Sequence, residues 1–215
     1  MPAIFPRWTN KLPLAIGVMG PLFGAFVVFF AFYYFSPKFT DVGYRPHQPV
    51  PYSHKLHAGE MGMDCRYCHN TVEVAGHSAI PPTQTCMNCH SQVKTDSPKL
   101  ALVRRSYNTG EAIPWVRVHQ LPDYAYFSHK PHVAAGVGCA SCHGRVDTMV
   151  EVQLDQPLSM SWCLECHRNP EPHLRPLDKV TDMDWDPAKE DYDYRNDPER
   201  KRLPEPPVHC SGCHR

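Results

Sequence analysis

Residues 126 to 143, "YFSHKPHVAAGVGCASCH", place three histidines and two cysteines within eighteen positions. Residues 51 to 69, "PYSHKLHAGEMGMDCRYCH", repeat the pattern: both stretches run Ser-His-Lys-x-His and close on Cys-x-x-Cys-His. So many nitrogen and sulfur donors at fixed spacing call for a ligand that needs them there.

All ten cysteines of the chain fall into five such units: Cys65-Cys68-His69, Cys86-Cys89-His90, Cys139-Cys142-His143, Cys163-Cys166-His167 and Cys210-Cys213-His214. A disulfide framework would not need a histidine after every second cysteine. A zinc site would need two further ligands at their own recurring spacing. With 14 histidines in 215 residues, a histidine after all five pairs by chance has odds of roughly one in a million, and the unit is that of c-type haem attachment. On a helical turn, residues three and four apart share a face, so both thiols can bond the vinyl groups while the histidine reaches the iron. The expected cofactors are five covalently bound haem c groups.

The second axial ligand largely decides whether such an iron transfers electrons or binds a small molecule. Nine histidines lie outside the motifs: His47, His54, His57, His77, His119, His129, His132, His173 and His209. They suffice for five six-coordinate irons. His-x-x-His, first motif and second motif recur in the same order from Ser53 to His90 and from Ser128 to His167, offset by 74 to 77 residues. This internal repeat divides the chain into a first dihaem module at 36–110, a second at 111–175, and a charged arm with the fifth haem motif at 176–215.

Ahead of the modules, after a short segment 1–11, residues 12–35 carry no charge. A helix of that length spans about 36 Å, enough to cross a hydrocarbon core of about 30 Å. Pro21 should kink it without forbidding it, and Tyr33 and Tyr34 suit an interface. The apolar run is too long for a secretory signal, and no Ala-x-Ala site follows, so a retained single-pass anchor is expected. Arg7 and Lys11 place the N-terminus inside. Haem attachment of this kind takes place outside the bacterial inner membrane, so the haem region should be periplasmic.

From Ser36 onward 180 residues serve five haems, too few to build an ordinary apolar core around each. The expected fold is mostly irregular with short α-helices, with the haems as its core, and the 23 prolines fit such a loop-rich chain. Lysine plus arginine balance aspartate plus glutamate at 22 each, and no basic stripe suggests nucleic acid. Residues 178–202 form a highly charged run without helical or strand periodicity, read as an arm docked on a partner subunit or as a solvated tail.

The paired histidines ahead of an attachment motif resemble the class III multihaem cytochromes c. That resemblance implies His54 and His129 as distal ligands of the haems on Cys65 and Cys139, with His57 and His132 reaching other haems. The wider pattern of anchor, modules, "IPPTQTCMNCH", "WVRVHQLPDYAYFSHKPHV" and "PLSMSWCLECHRNPEPH" resembles the pentahaem cytochrome c subunit of alternative complex III, a bacterial quinol:electron-acceptor oxidoreductase. The resemblance implies a non-catalytic electron-transfer subunit. Its expected partners are an integral membrane quinol-oxidising subunit, an iron-sulfur subunit, and a monohaem cytochrome c or terminal oxidase. The rival class is a self-sufficient membrane-anchored quinol dehydrogenase feeding a periplasmic reductase. A reductase with an open iron is disfavoured because all five motifs end in histidine and spare histidines are plentiful. His119, in "WVRVHQLPD", is the favoured fifth distal ligand, with Met160, Met149, His173 and His209 as alternatives.

Overall fold

The computed structural model describes residues 4–186, 189–190, 192–198 and 205–214. Parts of the expected N-terminal segment (residues 1–3) and of the charged run (187, 188, 191 and 199–202) lie outside the described residues. The chain divides into two units, residues 1–41 and 42–215.

In the first unit, helix α1 (Leu12–Tyr34) spans 23 residues, with Pro13 in its first turn, where the missing N–H is no loss. It continues unbroken through Pro21. Its side chains are exposed throughout, including Phe23, Phe29 and Phe32. At about 35 Å it is long and apolar enough to cross a membrane. A short helix α2 (Pro37–Thr40) follows, and its Phe39 packs edge-on against Tyr34.

The second unit has six helices among its described residues, none longer than nine residues: α3 (Cys65–Cys68), α4 (Thr83–His90), α5 (Ala101–Thr109), α6 (His129–Ala134), α7 (Cys139–His143) and α8 (Met160–Arg168). A π-helical turn, Lys55–Glu60, and several 3-10 turns complete it. No strand occurs among the described residues; the one β-type pairing is the isolated bridge between Val137 and Leu174. The expectation of short helices in irregular chain holds. Among the described residues only Val50, Val103, Leu154, Leu174 and Val180 form a buried apolar core. That is far too little for 174 residues to fold around by themselves.

The two sequence repeats interlock. The backbone N–H of Lys55 donates to Met149 O at 2.9 Å, and that of His129 donates to Gly76 O at 2.9 Å. Each His-x-x-His segment is thus tied to the loop that follows the other module's first motif. The turn Lys55–Glu60 packs directly on the turn Val146–Thr148.

The start of the charged run folds onto this chain. Val180 is buried and accepts from Cys139 N at 3.0 Å, Thr181 donates to Asp64 Oδ2 at 2.9 Å, and Arg145 pairs with Asp184 at 2.9 Å. The buried Arg175 guanidinium lies over Trp185, 5.0 Å from the ring centre. Residues 178–185 are therefore not a free solvated tail: Val180 gives the run an apolar foothold on its own chain.

Candidate haem centres

Local structure presents each attachment motif as a short helical turn. Asp64 caps α3, its carboxylate accepting from Arg66 N at 2.8 Å. Ser159 caps α8, its hydroxyl accepting from Trp162 N at 3.4 Å. After α7, Gly144 takes φ +63°, and a Cβ there would collide with the Asp155 carboxylate, so glycine is required. The fifth motif occupies the 3-10 turn Cys210–Gly212.

The histidine rings test whether haem fits. Two imidazoles sharing one iron, each at a metal–nitrogen distance of about 2 Å, should have ring centres about 6 Å apart. His54 and His69 lie 6.5 Å apart with planes 3° from parallel, and His129 and His143 lie 6.4 Å apart at 5°. The second histidines find partners at the same separation: His57 and His90 at 6.3 Å, His132 and His167 at 5.9 Å. Four of the five motif histidines therefore face a histidine from a His-x-x-His pair at the separation an intervening iron requires.

Tautomers point the same way. An imidazole that binds metal through Nε2 usually donates its Nδ1 proton to an outer partner. Seven of these rings place Nδ1 on a backbone carbonyl: His57 on Ser53 O (2.9 Å), His69 on Ala79 O (3.1 Å), His90 on Val93 O (3.0 Å), His129 on Gly76 O (3.0 Å), His132 on Ser128 O (2.7 Å), His167 on Pro207 O (2.7 Å) and His214 on Tyr124 O (2.9 Å). His54 Nδ1 is buried without a hydrogen-bond partner. Burial, reinforced by neighbouring histidines, pushes the His54 imidazole down to about 4 and that of His143 to about 3. Burial likewise lowers His129 and His132. These rings stay neutral at physiological pH and keep the lone pair a metal needs.

Neighbouring motifs are close. Asn88 in α4 donates to Tyr67 Oη in α3 at 3.2 Å, and Cys68 is in electrostatic reach of Cys86 and Cys89. The thiols of Cys65 and Cys139 lie against one another. Cys142 is in reach of Cys163 and Cys166, and Cys163 of Cys213. Read in space, the motifs run second, first, third, fourth, fifth. Cys89 and Cys210, in the two end motifs, are the exposed cysteines.

His119 lies beside the third motif. Its Nε2 lies 3.1 Å from His143 Nδ1, with the rings 4.4 Å apart at 78°. Met160 is 67 % exposed at the start of α8. His173 lies in the turn Glu171–His173, with its carbonyl accepting from Gly138 N, while His209 stays beside its own motif. His47 is surface-exposed against Glu151.

Tyr52 and Phe127 also belong to the site, a role the sequence reading passed over. Tyr52 meets His54 edge-on at 4.8 Å and stacks on His57 at 4.5 Å; Phe127 meets His129 edge-on at 4.8 Å and lies 4.7 Å from His132. The available signal was an aromatic residue two positions before the first histidine in both copies.

Comparison with known proteins agrees with this geometry. Residues 50–108 match the family model described as cytochrome c7 and related cytochrome c. The chain is 30 % identical over 187 aligned residues to the menaquinone reductase, multiheme cytochrome c subunit, of Nitratidesulfovibrio vulgaris, covering 77 % of this chain and 88 % of that protein. With attachment motifs, facing histidines and this similarity together, the chain belongs to the family of that multihaem cytochrome c subunit, whose haem c is covalently bound.

Proposed function

We propose that this chain is the membrane-anchored, five-haem electron-transfer subunit of a quinol-linked respiratory complex of the alternative complex III kind. The observation that carries the reading is the set of four histidine pairs with ring centres 5.9 to 6.5 Å apart. When bound, haem c supplies a reversible one-electron iron couple. The ten motif cysteines would tether it; His69, His90, His143, His167 and His214 would each hold an iron, and His54, His57, His129 and His132 would add a second nitrogen for the first four. Two strong axial ligands favour electron transfer over substrate binding. Tyr52 and Phe127 hold the paired distal rings apart and dry.

The spatial order of the motifs supports a relay with two ends. The second and fifth motifs, whose Cys89 and Cys210 are exposed, are the ends that partners would meet. Helix α1 anchors the chain in the bacterial inner membrane, with the N-terminus inside and the haem region periplasmic. Because α1 has no charged side chain, it does not make a quinone pocket by itself. An integral membrane subunit handles the quinol, an iron-sulfur subunit sits alongside, and a monohaem cytochrome or oxidase accepts the electrons. The relative's name favours a second reading, in which electrons run the other way, into menaquinone.

Mild solubilisation and capture through a tag on this chain should recover the integral membrane and iron-sulfur subunits. A menaquinol analogue should reduce the haems of that complex and leave the isolated holoprotein oxidised. Rapid, inhibitor-sensitive reduction of the isolated chain would instead establish a self-sufficient quinol dehydrogenase. Oxidation of the reduced complex by a menaquinone analogue, without reduction by menaquinol, would select the reverse direction.

A further inference from the structure

We propose that His119 is a positioning residue for His143, accepting its Nδ1 proton and thereby lowering the potential of the iron that His143 and His129 hold. The proposal rests on the ligand reading above. His69, His90, His167 and His214 each direct Nδ1 at a backbone carbonyl; among the described motif histidines only His143 directs it at a side-chain ring, His119 Nε2 at 3.1 Å. The opposite face of the arrangement is occupied by His129, 6.4 Å away and nearly parallel. If His143 Nε2 binds metal, its proton sits on Nδ1. His119 Nε2 must then accept, and its own proton sits on Nδ1. That nitrogen has one in-plane lone pair, so it cannot hold the His143 proton and also ligate the fifth iron.

Chemistry gives the consequence. A hydrogen bond that draws on the Nδ1 proton makes His143 a more basic ligand. A more basic ligand favours the ferric iron, so the bond holds the potential down. A backbone carbonyl at this place could not be removed by any side-chain substitution; the imidazole can. His119 therefore makes the haem on Cys139 the one whose potential a single substitution outside the ligand set should move.

The test uses the detergent-solubilised holoprotein carrying His119→Ala and, separately, His119→Gln, whose amide oxygen can still accept. Haem content, electron paramagnetic resonance of the oxidised protein and a spectroscopic redox titration are read on each. His119→Ala should retain its covalent haems with the spin states of wild type, with one midpoint potential raised by a change of about tenfold in the ferrous-to-ferric ratio, or about 59 mV for one electron. His119→Gln should return that potential towards wild type. A high-spin signal that wild type lacks, in either variant, would make His119 an iron ligand and overturn the proposal, as would unchanged potentials in His119→Ala. Should His119→Ala fail to accumulate, low-spin His119→Gln with a near-wild-type titration supports positioning, and high-spin His119→Gln refutes it. His129→Ala checks the underlying ligand reading independently: it should render one haem high-spin, and a fully low-spin His129→Ala protein would sink that reading and leave the His119 result to be explained without it.

Discussion

Gly59→Ala probes the interlock that sets the spacing of the haem centres. A Cβ at Gly59 would overlap the Asp147 carbonyl oxygen, a backbone atom that cannot swing aside. To relieve the clash the turn Lys55–Glu60 must lift from Val146–Thr148, stretching the 2.9 Å bond from Lys55 N to Met149 O. Overpacking costs about 1–3 kcal/mol and loss of the hydrogen bond about 0.5–1.5 kcal/mol, so a loss of about 2–4 kcal/mol is expected. For a unit of this size that lowers Tm by roughly 4–16 °C. Thermal melting of the holoprotein, followed by circular dichroism at one scan rate, measures it. Gly76→Ala is the matched control at the other crossing, because its Cβ would meet Ser128 Oγ at 3.4 Å, an ordinary contact; it should stay within about 1 kcal/mol of wild type. The added methyl should also disturb His54, which precedes the moved turn, and His57, which lies in it, so a high-spin component that wild type lacks is expected in Gly59→Ala alone. A Gly59→Ala protein that melts with wild type, or a Gly76→Ala protein that falls equally far, would show that the crossings do not bear on one another as described.

Two further outcomes are expected. Hydrogen bonds from the Arg66 side chain hold the Asp64 carboxyl down to about 2 from its usual 3.8, with Thr181 adding to the effect. A depressed folded-state value means stability present above pH 3.8 and lost as pH falls through about 2. Asp64→Asn should therefore flatten the acid limb of the stability profile between about pH 4 and 2, and an unchanged limb would count against the cap. Leu174, 2 % exposed opposite Val137, should cost about 2–5 kcal/mol as Leu174→Ala in denaturant unfolding, with the haem content of wild type; a loss below about 1 kcal/mol would mean the small apolar core contributes little.

Much of the site is local chemistry and was therefore legible. Cys-x-x-Cys-His needs a single helical turn, and His57 and His132 fix their rings on Ser53 O and Ser128 O, one turn back in the same segment. A period of 3.6 residues written into a short stretch suffices for both. The same holds for α1, whose uninterrupted apolar side chains declare its solvent, and for the want of strands in a chain punctuated by 23 prolines. Long-range partners have no such period. Nothing in the spacing of "WVRVHQLPD" says that His119 meets His143 at Nδ1, or that Pro207 lends its carbonyl to His167 from 40 residues away. The second-first-third-fourth-fifth order of the motifs depends on how the two repeats cross, and that crossing is made by Gly59, Gly76, Asp147 and Met149, all outside the attachment motifs and the His-x-x-His pairs. The sequence by itself determined how many attachment turns exist and which histidines accompany them; tertiary structure alone decided which rings meet, because backbone contacts between distant segments leave no pattern in either segment taken singly.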